Sequence, residues 1–184
     1  MIYHEHMSYY SLRALTAFLK RFGMEIFDVR FIPGIRSGSV RFYARNIGKR
    51  PGPVTDAVRN MMDYEARRGF DRFETYRRYA QQNAGTRSRL LEMLDRLKGE
   101  GRRIIGYGAS GRGTVIMNYC GIDRRYVDCV VDDAPAKHGF YTPGTHVPIT
   151  SWEAVHRSAP PDYAVLFAWA FTDEVLRKRK DYLD

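Results

Sequence analysis

The glycine-rich run at positions 106–113, Gly-Tyr-Gly-Ala-Ser-Gly-Arg-Gly, constrains the fold more than any other part of the sequence. It follows two isoleucines and precedes a stretch with helical spacing, so it predicts a strand, a tight turn and a helix. Gly106, Gly108 and Gly111 have the spacing at which a backbone can approach a phosphate beside a helix N-terminus. Glycine also occurs in such turns for packing alone, so both interpretations stand at this point.

Strands and helices alternate through the rest of the chain. Four apolar segments have the composition of strands, at residues 104–106, 126–131, 147–149 and 163–168. The alternation predicts an α/β fold, with a Rossmann-like, doubly wound and mostly parallel sheet. Ligands bind such sheets at the carboxyl ends of the strands. Asp132 and Lys137 lie after the second strand, at such an end.

The first part of the chain predicts a helix and a strand pair. Ser8 or Ser11 can cap a helix that runs to about residue 21. The segments 25–32 and 39–45 have strand patterns and are separated by a loop containing proline and glycine. We expect them to pair in antiparallel fashion.

A helical region follows. Residues 56–68 have helical spacing behind Thr55, which can act as a cap. The next helix begins near residue 71 and either breaks at 84–86 or continues to 98. We therefore expect one domain in three parts: residues 1–50 with a helix and the strand pair, 54–100 as a helical segment, and 101–184 as the Rossmann-like half.

Composition limits the partners. The formal net charge of +9 favours an anionic partner, which can be nucleic acid, a membrane surface or a phosphorylated small molecule. No nucleic-acid-binding motif and no membrane-spanning apolar run is present, so a diphosphate ligand is favoured. Cys120 and Cys129 are too few for a disulfide framework and, like His138 and His146, lack metal-ligand spacing. We expect a cytoplasmic protein with no metal.

Several segments carry a more specific signal. They are Tyr-His-Glu-His-Met-Ser-Tyr-Tyr from residue 3, Ser-Gly-Ser-Val-Arg from 37, the glycine run from 106, Asn-Tyr-Cys-Gly-Ile from 118, and the long run from Asp133 to Ile149. In this order they resemble the C-terminal domain of sugar C-methyltransferases. Members of that family transfer a methyl group from S-adenosylmethionine to nucleotide-linked keto-deoxysugars. The resemblance covers nearly the whole chain.

The resemblance implies a larger enzyme. Family members also have an N-terminal zinc-binding domain and a central domain that holds S-adenosylmethionine, and this sequence contains neither pattern. We therefore expect the chain alone to be inactive. Its partner would be an upstream methyltransferase domain, covalently linked or separate.

The resemblance also implies three catalytic residues, Tyr3, Glu5 and His6. His6 is the candidate base that removes a proton next to the sugar ketone, while Tyr3 and Glu5 orient it or stabilise the enolate. The chemistry is reasonable because a histidine titrates close to neutrality. In a regular strand Tyr3 and Glu5 would face away from His6, so the cluster requires an irregular backbone.

The substrate site is expected around the glycine run. The candidates for binding a nucleotide-diphosphate sugar are Gly108, Ser110, Gly111, Arg112, Lys137, Arg41 and Asp132. Arginine can hold phosphate through two donors and lysine through a point charge. Asp132 fits either a ribose contact or a turn. Ala170 stands where the family usually has asparagine, which puts a contact there in doubt.

Two alternative functions remain on sequence grounds. One is a Rossmann-type module that binds a nucleotide or nucleotide sugar without chemistry of its own. The other is an NAD-dependent oxidoreductase, which rests on the glycine spacing alone.

Overall fold

A computed structural model of the chain describes residues 7–33, 38–49 and 52–183. By its internal contacts the chain divides into two compact units, Met1–Asn83 and Ala84–Asp184. Within the described ranges, no helix has both the length and the apolar character needed to cross a membrane.

The first unit contains the predicted helix and strand pair. Its elements are α1 (Leu12–Lys20), β1 (Met24–Ile32), β2 (Ser39–Asn46), α2 (Asp56–Arg68) and the start of α3 (Phe73–Gly99). The strands pair antiparallel, with Val29 opposite Phe42, as the sequence predicted. Ser11 caps the start of α1, and its hydroxyl accepts a hydrogen bond from the Ala14 amide at 3.1 Å. The hydroxyl takes the place of the backbone carbonyl that a preceding helical turn would have supplied.

The core of the first unit is small. Leu12, Ile26, Val29 and Val58 are buried in it. They come from α1, β1 and α2, so the two helices and the strand pair share one apolar cluster.

The structure decides two helix boundaries in this region. Thr55 does not cap α2 with its side chain; its hydroxyl donates instead to Asp28 at 2.8 Å. Helix α3 runs unbroken from Phe73 to Gly99, so the continuous alternative is confirmed and the break at 84–86 is absent. Alanine, threonine and one glycine are tolerated within a helix of this length.

The second unit is a Rossmann-like α/β sheet. After the end of α3 come β3 (Ile104–Tyr107), α4 (Gly111–Cys120), β4 (Val130–Val131), β5 (Ile149–Thr150), α5 (Trp152–Ser158), β6 (Tyr163–Leu166), α6 (Thr172–Lys178) and α7 (Lys180–Leu183). Short 3₁₀ turns lie at Pro135–Lys137 and Trp169–Phe171. The four strands are parallel in the order β5-β4-β3-β6. The predicted fold class is confirmed.

The second strand is shorter than expected. Its predicted start, at Tyr126 and Val127, forms a turn in which both amides donate to the Asp123 carbonyl. A backbone amide used in this way cannot join the sheet ladder, so Tyr126 and Val127 stay outside it. Hydrogen bonds to β3 begin at the Asp128 amide, which donates to the Ile104 carbonyl, and the regular strand is Val130–Val131.

Apolar side chains cover both faces of the sheet. Ile104 packs on one face with residues of α3 and α4, including Leu94 and Met117. Ile105 packs on the other face with Trp152 and other residues of α5. This alternation places helices on both faces, which is the doubly wound arrangement.

Close packing explains two of the glycines. A Cβ atom on Gly106 would lie 2.7 Å from the Phe167 ring. A Cβ atom on Gly113 would lie 2.8 Å from the Phe167 Cβ and 3.0 Å from the Gly108 carbonyl oxygen. Helix α4 can approach the β3 and β6 ends this closely only because these positions lack a side chain.

The Gly113→Ala variant should therefore unfold more easily than the wild type, by about 1–3 kcal/mol, because the new methyl group overpacks the contact. The matched control is Gly85→Ala within α3, where the nearest atom to a new Cβ is the end of the flexible Arg89 side chain at 3.5 Å. That variant should gain up to about 1 kcal/mol from helix propensity. Urea unfolding of both variants measures the difference, and a gain in both would contradict the packing argument.

Candidate functional site

The loop between β3 and α4 lies at the topological switch point of the sheet. Strand β3 pairs with β4 on one side and β6 on the other, so the chain connections diverge at its carboxyl end. Open α/β sheets bind ligands in this position. Gly108, Ser110, Gly111 and Arg112 lie in this loop and in the first turn of α4.

Ser110 determines where α4 begins. Its hydroxyl accepts a hydrogen bond from the Gly113 amide at 3.1 Å, and its carbonyl accepts the Thr114 amide. The amides of Gly111 and Arg112 have no acceptor within the described part of the chain. Two amides at a helix N-terminus are thus available to an anion, where the helix dipole favours negative charge.

Gly108 holds the loop close to the end of β6. Its φ of 95° lies in the left-handed region, and a Cβ atom there would be 2.4 Å from the Ala168 Cβ. Its amide donates to the Val131 carbonyl at 2.7 Å. Both the conformation and the space require glycine, so packing is one reason for this residue.

Lys137 ties the β3–α4 loop to the end of β4. Its ammonium donates to the Ala109 carbonyl at 3.0 Å and to Asp132 Oδ2 at 2.9 Å. The group has three N–H donors, so one remains after these contacts. Arg112, which is half-buried in the first turn of α4, has no ion pair within the described residues.

Asp132 forms a turn. It is only 8% exposed, its Oδ1 accepts the Ala134 amide at 2.9 Å, and its Oδ2 accepts from Lys137. Its backbone carbonyl lies 2.7 Å from His138 Nε2. Of the two sequence interpretations, the turn is the one that these contacts describe, and His138 takes part in loop hydrogen bonding.

The rest of the long loop packs against α4. Asn118 donates from its Nδ2 to the Pro143 carbonyl at 3.0 Å, and a Cβ atom on Gly144 would collide with the Asn118 side chain. Thr142, which is buried, accepts the Val147 amide at 2.9 Å. The loop is thereby held on the helix whose N-terminus borders the candidate site. Across the described ranges, no three acidic, histidine or cysteine side chains form a group that could hold a metal ion.

The structure adds an ionic cluster that sequence reasoning missed. Asp133 Oδ1 accepts from the Tyr107 hydroxyl at 3.0 Å and from the Arg179 guanidinium at 2.9 Å, and Lys178 lies 2.9 Å from Oδ2. The Arg179 guanidinium also stacks 4.9 Å from the centre of the Trp152 ring. The basic residues Lys178 and Arg179 were the signal that the sequence offered for this cluster. Their partner, Asp133, is more than 40 residues away in sequence and could not be inferred from them.

The cluster shifts two pKa values. Burial raises the pKa of Tyr107, and the hydrogen bond from Arg179, which by itself would lower this pKa, only partly offsets the effect. Burial alone would raise the pKa of Asp133, but the donors and positive charges around it hold the pKa below its ordinary value. A cavity of about 640 Å³ opens beside Tyr107 and Trp152.

Four predicted site residues do not belong to the second unit. Arg41 is exposed on β2 in the first unit, opposite Arg30 in the register. Tyr3, Glu5 and His6 lie outside the described residues. The second unit therefore brings together the candidates of the glycine run with Asp132 and Lys137. A binding or catalytic role for any of the candidates stays a prediction.

The fold and this loop define a Rossmann-like domain whose switch point has the features of a phosphate-binding turn. Residues 34–184 match the family described as the C-methyltransferase C-terminal domain, and the chain belongs to that family. It is also 29% identical, over 183 residues, to the C-methyltransferase NovU of Streptomyces niveus. That match covers 100% of this chain but 43% of the relative, so the chain spans less than half of the relative's length. The resemblance to the C-terminal domain of C-methyltransferases is confirmed.

The ionic cluster predicts a pH dependence. The folded-state pKa of Asp133 is lowered, so its contribution to stability is complete above the unfolded pKa of about 3.9 and is lost as the pH falls through the folded value. The wild type should therefore be more stable than Asp133→Asn at neutral pH, and the difference should shrink as the pH falls below about 4. Urea unfolding of both proteins at several pH values from neutral to below about 4 measures the difference in the free energy of unfolding. A difference that stays constant at acid pH would rule out the charged contacts as its source.

Proposed function

We propose that this chain is the substrate-binding and base-donating C-terminal domain of a C-methyltransferase that acts on a nucleotide-linked keto-deoxysugar. The family supports the methyltransferase part of this proposal. The observation that carries the substrate site is the pair of amides at Gly111 and Arg112, which lack acceptors in the described chain at the sheet's switch point.

The diphosphate would bind at this helix start. The two amides and the Arg112 guanidinium would contact its oxygens, and Ser110 would keep the amides oriented. Gly108 would let the loop backbone approach, while Lys137 would offer its remaining donor.

Asp132 and Arg41 would contribute to the substrate site in different ways. Asp132 would act on the substrate mainly by holding Lys137, since both of its carboxylate oxygens have partners. Arg41 is an exposed basic residue of the strand pair, and its part in the site rests on its sequence position.

The reaction would begin with the run that precedes α1. His6 would remove the proton from the carbon next to the ketone, and Tyr3 and Glu5 would orient the imidazole or stabilise the enolate oxygen. The enolate carbon would then attack an electrophilic methyl group. S-adenosylmethionine, held by an upstream methyltransferase domain that is covalently linked or separate, would supply that methyl group, with its methyl–sulfur bond breaking and S-adenosylhomocysteine leaving as a neutral thioether. The glycine-rich turn after β3 is assigned here to the substrate, so this chain alone is expected to be inactive.

Thymidine diphosphate and uridine diphosphate should both stabilise the chain in thermal unfolding, because they bind the folded state. The Arg112→Ala variant should bind them about tenfold more weakly, which corresponds to the loss of one charge-assisted contact. Titration calorimetry measures the dissociation constants. About 0.15 M salt in the buffer screens long-range charge effects.

The matched control is Arg124→Ala. This arginine is exposed beyond the other end of α4, so its removal makes the same change in net charge away from the helix start. Equal weakening by both variants would show a general charge effect, and the proposed diphosphate position would be abandoned.

The base role has its own test. In the methyltransferase assembly that contains this domain, His6→Asn should abolish both methyl transfer and the exchange of substrate hydrogen for solvent deuterium next to the ketone. Nucleoside diphosphate binding should be unchanged, because the diphosphate contacts lie in another part of the chain. Undiminished exchange and methylation by His6→Asn would leave only the binding-module alternative.

A further inference from the structure

Two adjacent aromatic side chains, Phe140 and Tyr141, lie on the surface of the loop that follows β4. Phe140 is 65% exposed and Tyr141 is 60% exposed. Neither belongs to an apolar cluster of the described core. Aromatic rings gain much from being covered, so two neighbouring rings left in solvent form a candidate contact surface.

The backbone beneath this aromatic pair is fixed. The Phe140 amide donates to the Lys137 carbonyl at 3.3 Å, and the Phe140 carbonyl accepts the Ile149 amide at 2.8 Å. Tyr141 forms an antiparallel bridge with Pro148. The two rings are therefore presented from a backbone that needs no ordering when a ligand covers them, which lowers the entropy cost of binding.

The same loop touches the proposed diphosphate site. Lys137 Nζ lies 3.0 Å from the Ala109 carbonyl oxygen, in the turn that leads to the amides of Gly111 and Arg112. Phe140 follows Lys137 by three residues, so the two Cα atoms lie within about 11 Å of each other. The loop that carries the aromatic pair thus borders the start of α4 on the β4 side.

We propose that the aromatic pair of Phe140 and Tyr141 is the surface on which the nucleobase of the substrate stacks. This inference rests on the proposed function, because it takes the diphosphate to lie at the start of α4. In a nucleoside diphosphate only the ribose separates the base from the phosphates, so the base lies at the border of the diphosphate site. Every nucleobase offers a flat π-face to an aromatic side chain.

Trp169 is the competing surface, on the other side of the glycine-rich turn. It follows β6, directly after Ala168, whose Cβ would lie 2.4 Å from a Cβ atom on Gly108. The β4 side is favoured for two reasons. Lys137 places a positive charge there, and its two rings leave more surface uncovered than Trp169, which is 39% exposed.

The test compares thymidine diphosphate with inorganic pyrophosphate in titration calorimetry of the full chain. At least one of Phe140→Ala and Tyr141→Ala should bind thymidine diphosphate about tenfold more weakly, which corresponds to the loss of one base–aromatic stack. Both variants should bind pyrophosphate as the wild type does, because pyrophosphate has no base. At the affected position, Phe140→Trp or Tyr141→Trp should keep the wild-type affinity, since tryptophan retains a ring for stacking.

The matched control is Tyr119→Ala. This tyrosine is 53% exposed in the last turn of α4, so the variant removes a similarly exposed ring from the opposite end of the helix. It should bind both ligands as the wild type does. Should an alanine variant of the aromatic pair fail to fold, Phe140→Leu or Tyr141→Leu replaces it with the same expected result, because leucine lacks a π-face.

Three results would overturn the proposal: wild-type binding of thymidine diphosphate by both variants of the pair, an equal loss in Tyr119→Ala, or an equal loss of pyrophosphate binding. A loss seen only in Trp169→Ala would also overturn it, and would put the base on the β6 side. Pyrophosphate separates these results from a failure of the proposed function. If the wild type binds pyrophosphate and Arg112→Ala weakens that binding, the diphosphate site stands without the aromatic pair; if the wild type binds neither ligand, both proposals fail.

Discussion

The arrangement of the candidate site depends on the two hydrogen bonds that the Lys137 ammonium group donates. The ammonium group joins the carbonyl of Ala109, just after β3, to the carboxylate of Asp132, just after β4. Asp132 is buried, so its carboxylate depends on hydrogen bonds from the Ala134 amide and the Lys137 ammonium. The pair therefore holds two adjacent strand ends in one arrangement, and the loop that begins α4 takes its position from them.

Glycine packing and anion binding are compatible interpretations of the loop. Gly106 and Gly113 are small because Phe167 occupies the space that their side chains would need, and Gly108 is small because Ala168 does. Because these positions lack side chains, α4 packs closely on the strand ends and its first turn lies at the edge of the sheet. The packing is thus the cause of the geometry that leaves helix amides open at the switch point.

The sequence predicted what local signals control. Of the two serines proposed to cap the first helix, Ser11 does so, and its hydroxyl accepts the amide three residues on. Ser110 and Ser151 begin α4 and α5 in the same way. Apolar and alternating segments located all six strands approximately. Strand β5 is shifted to Ile149–Thr150, and β4 is shorter at its start, where a turn on Asp123 uses the amides of Tyr126 and Val127. Contacts across 50 residues or more escaped prediction, and the bond from Arg179 to Tyr107, 72 residues apart, is one of them. Such pairs depend on the packed fold, which no local pattern encodes.

The two best-defined helix starts in this chain make a physical contrast. In α1 the position that an anion would take is filled by the chain's own carboxylate, Glu65, and the first-turn amides all have acceptors. In α4 the serine cap satisfies one amide, and Gly111 and Arg112 keep theirs without an acceptor in the described residues. A ligand phosphate competes with nothing at α4 but would have to displace a buried charge at α1. The same dipole effect therefore meets two different surroundings here, an internal carboxylate at one helix and, at the other, two amides without an acceptor in the described residues, which is where the diphosphate is proposed to bind.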